Sequence, residues 1–185
     1  LILIGYLASS TQAGVYGLAT MIVTGMLMFP TVFYQRYFLL KLHRWSNHDR
    51  NMFIQVFKRG IYISTFLGLI AFLMVLFLAD KFIPIIFGVE YLVSVNFLEL
   101  LSITILIGYL TTTLGATITV ANEVRTKAKI MCLIAITNVM LNIYLIPIYG
   151  AVGAAYATII SSFLLLLMFS WASGLFLKRL HASYN

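Results

Sequence analysis

Two asparagines and one glutamate lie inside otherwise apolar runs of this sequence, where polar side chains need a physical reason. Asn138 and Asn142 are four residues apart, so they share one face of a helix. An amide away from water either forms an interhelical hydrogen bond or lines a polar pathway. Glu99 lies early in another apolar run, where a carboxylate can bind a coupling proton or cation, or can hydrogen-bond at the membrane interface.

Other common chemistries lack their sequence motifs. There is no G-x-x-x-x-G-K-[ST] loop that would hold ATP phosphates. The one cysteine, Cys132, excludes an internal disulfide and is predicted to be a small core residue. The three histidines show no ligand spacing. We therefore expect no transport driven by ATP hydrolysis on this chain, no metal site and no cofactor.

The stretch NVMLNIYLIPIYGAVGAAYAT, residues 138–158, predicts a tight helical hairpin. Pro147 is expected to end the first helix, and Tyr149 with Gly150 forms a turn so short that the next helix returns antiparallel. Small residues on the returning helix permit close backbone approach; they are Gly150, Gly153, Ala154, Ala157 and Ser161. We interpret both asparagines as helix-packing residues, with a cavity-lining role as the alternative.

Only a membrane bundle can position these residues. The chain is 62% hydrophobic and 9% charged, whereas a soluble domain carries about 25% charged residues. A helix that crosses the membrane needs about 20 apolar residues. Five runs satisfy this requirement, at approximately 15–35, 60–79, 93–121, 130–146 and 151–177. The end of a further run precedes them at 1–8. The predicted fold is an all-α integral membrane protein, an antiparallel transmembrane helix bundle. Nucleic-acid binding is not expected, because the charges lie between apolar runs rather than along one face.

The distribution of basic residues predicts which side each connection faces. Eleven of the twelve lysines and arginines fall in the 36–59 loop, the 123–129 turn and the tail. Short cytoplasmic loops collect such residues, so these segments and the C-terminus are assigned to the cytoplasm. Ser46 and Asp49 match a capping box, which predicts a short amphipathic helix with Met52 and Phe53 at the headgroup boundary.

Three segments in order resemble the bacterial polysaccharide flippases, the O-antigen and capsule exporters of the superfamily that includes the multidrug and toxin extruders. They are GVYGLAT at 14–20, FGVEY at 87–91 and the hairpin at 138–158. The resemblance implies that residues 1–185 are the C-terminal lobe of a two-lobed transporter in the bacterial inner membrane. It also implies a function, the movement of undecaprenyl-diphosphate-linked oligosaccharides from the inner to the outer leaflet by alternating access, with no catalytic residue and no enzyme activity.

The resemblance also implies partners and substrate contacts. The partners are membrane lipids and the N-terminal lobe of the same protein, with polysaccharide polymerase machinery as a further candidate. The helix over 15–36 should face the central cavity, so its polar residues are the candidate substrate contacts: Thr20, Thr24, Gln35 and Arg36. Arg36 could bind a phosphate through two N–H groups, or it could extend to lipid phosphates as arginines at helix ends do.

Two other functions remain open at this stage. A multidrug antiporter of the same superfamily should carry more acidic residues in its spans than Glu99 alone. A polysaccharide polymerase or ligase needs a sizeable outer loop with a catalytic Arg or His. The longest outer connection, ADKFIPIIFGVEY, contains neither.

Overall fold

A computed structural model of the chain describes residues 1–33 and 50–182. In these ranges the chain forms six α-helices and one 3₁₀ turn, at Val89–Tyr91, and no strand. The helices are α1 (Ile2–Leu7), α2 (Ser10–Phe33), α3 (Arg50–Ile86), α4 (Val93–Val120), α5 (Val124–Tyr149) and α6 (Ala151–Ala182). Five of them, α2 to α6, are long and apolar enough to cross a membrane. The prediction of an all-α membrane bundle is confirmed.

Helix α4 is the centre of the bundle, packed against α2, α3 and α6. Half of the residues in its apolar stretch are buried, the largest share among the spanning helices. A glycine on α3, Gly68, lets that helix approach closely, since a Cβ there would lie 3.0 Å from the Cβ of Tyr109. The hydroxyls of Ser64 and Thr113 are hydrogen-bonded between the same two helices at 2.5 Å. Both features fix α3 firmly on α4.

The amphipathic helix predicted near residue 50 is not a separate element. Helix α3 runs without a break for 37 residues, about 55 Å at roughly 1.5 Å per residue, so it is longer than the hydrocarbon layer of about 30 Å. Phe53 is fully buried and meets Phe176 edge to face at 5.9 Å, while Met52 is exposed. The predicted lipid-facing aromatic therefore packs in the protein core, because α4 and α6 extend alongside it. Ser46 and Asp49 lie outside the described residues.

Helix ends also differ from the sequence boundaries. Helix α5 begins at Val124 rather than near residue 130, because charged residues are compatible with a helical turn outside the apolar layer. It also continues through Pro147 to Tyr149, so the expectation that Pro147 ends the helix is wrong. A proline removes one hydrogen bond and disfavours a preceding helical residue, yet the chain turns only at Gly150. There φ is 60°, a value that glycine adopts easily.

Candidate functional site: a threonine-lined cleft

Two adjoining cavities lie between α2, α4 and α6, and they share Thr111 and Leu165 in their walls. Their volumes are about 280 and 590 Å³, and the larger one is bordered also by α5. We call them together the threonine cleft. Its hydroxyl-bearing residues are Thr20, Thr24, Thr31, Thr104, Thr111, Thr112, Thr119, Thr158 and Ser162. Two of the predicted substrate contacts, Thr20 and Thr24, are therefore part of one larger polar surface.

The threonine hydroxyls donate to backbone carbonyls of their own helices. Thr24 Oγ1 donates to Thr20 O at 2.8 Å, and Thr112 Oγ1 donates to Gly108 O at 2.8 Å. This i to i−4 bond is a common way for a threonine to satisfy its proton inside a helix. A hydroxyl has one proton and two lone pairs. The cleft therefore presents oxygen atoms that can still accept hydrogen bonds.

One charged side chain lines the part of the cleft that the structure describes, and it belongs to Lys127. The side chain is partly buried, and its Nζ donates to Thr119 Oγ1 at 3.1 Å. A lysine ammonium has three N–H donors, so further donors are available to a ligand. Lys127 lies near the end of the bundle where α4 stops and α5 starts, which the charge pattern assigns to the cytoplasm.

Lys127 was missed as a site residue in the sequence, where it counted only as one of three cations in a turn. Arg125 and Lys129, its neighbours in that turn, are exposed. Helical spacing could have found it, since residues 127, 131, 138 and 142 follow one face of α5. The asparagine pair thus continues a polar face that begins at the lysine.

Two other predicted contacts, Gln35 and Arg36, lie outside the described residues, so their role stays a prediction. Glu99 is on an exposed part of α4 and does not line the cleft; its backbone carbonyl accepts a hydrogen bond from Ser102 Oγ at 2.6 Å. The structure brings Thr20 and Thr24 together with Lys127 in one cleft but leaves Glu99 apart. A coupling role for Glu99 also stays a prediction. Among the described residues no cluster of three His, Cys, Asp or Glu side chains could hold a metal ion.

The two asparagines make different contacts in the α5–α6 hairpin. Asn138 Nδ2 reaches across to α6, where it donates to Ala157 O at 3.2 Å and Ser161 Oγ at 3.1 Å. Asn142 Nδ2 stays within α5 and donates to Asn138 O at 2.8 Å and Asn138 Oδ1 at 3.0 Å. Only Asn138 links the helices, and Asn142 orients its amide.

Asn138 also borders a third cavity of about 260 Å³, which shares Thr158 and Ser162 with the threonine cleft. The residue thus has contacts that suit helix packing and a position that suits a polar pathway. The small residues behind it are in contact range of α5. Ala154, Ala157 and Ser161 are buried, and a Cβ on Gly153 would overlap the Leu145 carbonyl.

Two hydrogen bonds join α2 to α6 at the other end of the cleft. Tyr16 Oη and Thr158 Oγ1 are 3.1 Å apart, and Ala151 N donates to Gln12 Oε1 at 3.2 Å. Because Thr158 already donates to Ala154 O at 2.9 Å, the tyrosine hydroxyl is the donor to Thr158. These contacts close the cleft between the start of α2 and the start of α6.

Cys132 is exposed on α5, so the prediction of a small core residue is wrong. Leu133 and Ile136, close to it on α5, are exposed as well. This side of α5 faces away from α6, where an apolar side chain can contact lipid. A small thiol has no packing requirement there.

Comparison with known proteins gives two distant relatives. The chain is 27% identical over 144 residues to the capsular polysaccharide biosynthesis protein CapF of Staphylococcus aureus, covering 77% of this chain and 35% of that protein. It is 25% identical over 160 residues to a probable low-salt glycan biosynthesis flippase of Haloferax volcanii, covering 86% of this chain and 34% of that protein. The chain thus spans about a third of the length of these relatives.

No family model and no solved structure matches the chain. The two similarities agree with the coarser part of the sequence resemblance, which is to proteins of polysaccharide and glycan biosynthesis. Together with the five spanning helices, they support a multi-pass membrane protein.

Proposed function

We propose that this chain is the C-terminal lobe of a flippase that moves lipid-linked oligosaccharide repeat units across the membrane for surface polysaccharide biosynthesis. The expected carrier is undecaprenyl diphosphate, and the expected location is the bacterial inner membrane with the C-terminus in the cytoplasm. The lobe acts by alternating access with its N-terminal partner lobe and catalyses no reaction. The names of the two relatives support the polysaccharide or glycan part of this proposal.

The observation that carries the proposal is the partly buried Lys127 at one end of a cleft lined by hydroxyls. A diphosphate needs a cation, and a glycan needs hydrogen-bonding groups along its length. The cleft offers both in this order, and it offers them between apolar helices that an attached lipid can follow. Arg36, if it faces the same cavity, would add a second cation near the cytoplasmic mouth.

A multidrug antiporter fits the cleft less well. Substrates of that class are commonly cationic, and a cavity for them should carry acidic residues. Within residues 1–33 and 52–177, whose side chains the structure describes, the charged residue lining the cleft is a lysine, and the acidic Glu99 lies elsewhere. The charge of the site therefore favours an anionic substrate.

Export in a flippase-deleted host tests the role of Lys127. The full-length protein is expressed as wild type, Lys127→Arg, Lys127→Gln or the control Lys129→Gln, which removes an exposed lysine from the same helix. A hydrogen bond to a charged group contributes about 1.5–3 kcal/mol, so Lys127→Gln should reduce surface polysaccharide by roughly tenfold or more. Lys127→Arg should retain part of the export, and Lys129→Gln should match wild type.

The assay needs matched protein levels by immunoblot and a measurement of lipid-linked repeat units. The proposal expects these units to accumulate in the inner leaflet when Lys127→Gln blocks export. Equal surface polysaccharide from all four proteins would remove Lys127 from the substrate site. The host is the strain whose own polysaccharide genes lie beside the gene for this protein. If the wild-type protein restores no export in that host, the proposed function itself is contradicted.

A further inference from the structure

The hydroxyl protons of the threonine cleft are already used within the helices. Thr24 and Thr112 lie in different cavities of the cleft, and each donates to a backbone carbonyl of its own helix at 2.8 Å. Thr119 follows the same pattern with Gly115 O at 2.8 Å. What the cleft offers to a ligand is therefore a row of acceptor lone pairs.

An acceptor row selects for one kind of ligand group. A neutral sugar hydroxyl can donate its proton to a threonine oxygen. A phosphate or carboxylate oxygen is acceptor-only when ionised, so it would meet lone pairs there and lose its hydration without a new hydrogen bond. Lys127 is the described cleft residue that can compensate a negative charge, and it lies at one end. The two ends of the cleft thus differ in the chemistry they can bind.

We infer that the threonine cleft binds the neutral, hydroxyl-rich part of the glycan by accepting hydrogen bonds onto threonine Oγ1 atoms, with the phosphate-bearing end at Lys127. This inference rests on the proposed flippase function and adds the orientation and the donor–acceptor sense of binding to it. The sugar chain lies along α2 and α4 toward the far end of the cleft, where the hydroxyls of Tyr16 on α2 and Thr158 on α6 are hydrogen-bonded.

Fluorinated probes test the direction of these hydrogen bonds. The probe is a polyprenyl diphosphate carrying a neutral glucose trisaccharide, together with a series in which each hydroxyl of one sugar in turn is replaced by fluorine. Fluorine is close to a hydroxyl in size but cannot donate a proton. Transport is measured with the full-length protein in vesicles of phosphatidylethanolamine and phosphatidylglycerol, from the loss of probe accessible at the outer surface.

The protein variants are Thr24→Val and Thr112→Val, which remove one acceptor from each cavity and keep the side-chain shape. Thr24→Ser keeps the hydroxyl. The matched control is Thr65→Val, because Thr65 is exposed on α3 and makes the same bond to Ile61 O at 2.8 Å. A single hydrogen bond contributes about 0.5–1.5 kcal/mol, roughly two- to tenfold in rate.

In vesicles that contain wild type, Thr24→Ser or Thr65→Val, we expect at least one fluorinated probe to be transported about two- to tenfold more slowly than the unfluorinated parent probe. With Thr24→Val or Thr112→Val the parent should slow to the rate of that fluorinated probe. The inference would be overturned if wild type transported every fluorinated probe as fast as the parent probe. It would also be overturned if the difference in rate between the fluorinated and parent probes persisted in both Thr24→Val and Thr112→Val.

Failure of the inference and failure of the proposed function give different results. If wild type restores polysaccharide export in the flippase-deleted host but does not move the neutral parent probe, the function stands and the neutral-glycan site is wrong. If wild type neither restores export nor moves the probe, the flippase function is wrong and the inference falls with it.

Discussion

Among the described residues, the side chain of Asn138 forms hydrogen bonds across the interface of the α5–α6 hairpin. Its Nδ2 has two acceptors on α6, and its Oδ1 accepts from Asn142. The two asparagines are not equivalent, since Asn142 makes its hydrogen bonds within α5. The stability of the hairpin should depend on the two residues to different degrees.

We predict that Asn138→Leu lowers the free energy of unfolding by about 1–2 kcal/mol, because it removes two interhelical hydrogen bonds in an apolar setting. Asn142→Leu should cost less, since it removes only bonds within one helix. Reversible unfolding in mixed detergent micelles measures both. A larger loss for Asn142 than for Asn138 would contradict this assignment, and unchanged stability with failed export would assign Asn138 to the pathway instead.

For single residues, the sequence predicted which side chains are important more reliably than it predicted their contacts. Two polar residues four apart in an apolar run are informative, because burial without a partner is costly. The difference between Asn138 and Asn142 was not predictable, since it depends on which residue faces Ser161. Lys127 was hidden for a similar reason. Three alternating cations look equivalent until the phase of α5 exposes two of them and turns the third toward the cleft.

At the scale of elements, the close approach of α5 and α6 depends on Gly153. A Cβ there would lie 2.6 Å from the carbonyl carbon of Leu145, much closer than atoms pack in protein interiors. The obstacle is backbone, which cannot turn away as a side chain can. Glycine at this position therefore sets the separation of the helices, and with it the reach of Asn138.

We predict that Gly153→Ala destabilises the protein by about 1–3 kcal/mol, the usual cost of overpacking, although alanine is the better helix former. Gly174→Ala on the same helix is the control, because a Cβ there meets nothing within 4 Å. It should be neutral or slightly stabilising. Thermal unfolding followed by size-exclusion chromatography compares the two, and equal melting temperatures would show that the hairpin tolerates a wider separation.

Element boundaries were predictable where the hydrophobic run itself ends and less so elsewhere. Helix α4 runs from Val93 to Val120, close to the predicted 93–121. The start of helix α3 was not predictable, because its first turns combine apolar residues with polar and basic ones, a pattern equally typical of a surface helix. Only the neighbouring helices, which provide the pocket for Phe53, decide between a surface helix and a continuation of the span.

At the scale of the whole molecule, the bundle has two chemically different ends. Lys127 and the exposed Arg125 and Lys129 lie where α4 meets α5. The opposite end has the 3₁₀ turn at Val89–Tyr91 and the Gly150 turn, and the cleft closes there through Gln12 and Tyr16. Five antiparallel helices place these ends on opposite sides of a membrane. A substrate whose anionic group starts at the basic end would enter from that side.

The location of each end predicts the reactivity of introduced cysteines in intact cells. Glu90→Cys lies in the 3₁₀ turn, and Arg125→Cys lies at the start of α5; both native residues are exposed. In a background with Cys132→Ala and with any further cysteines of the full-length protein replaced, an impermeant thiol reagent should label only position 90, because basic connections remain in the cytoplasm. Opening the cells should make position 125 reactive too, which is the control for its accessibility. Labelling of position 125 in intact cells would reverse the orientation, and Lys127 would then lie at the outer mouth, where it could receive a substrate only after translocation.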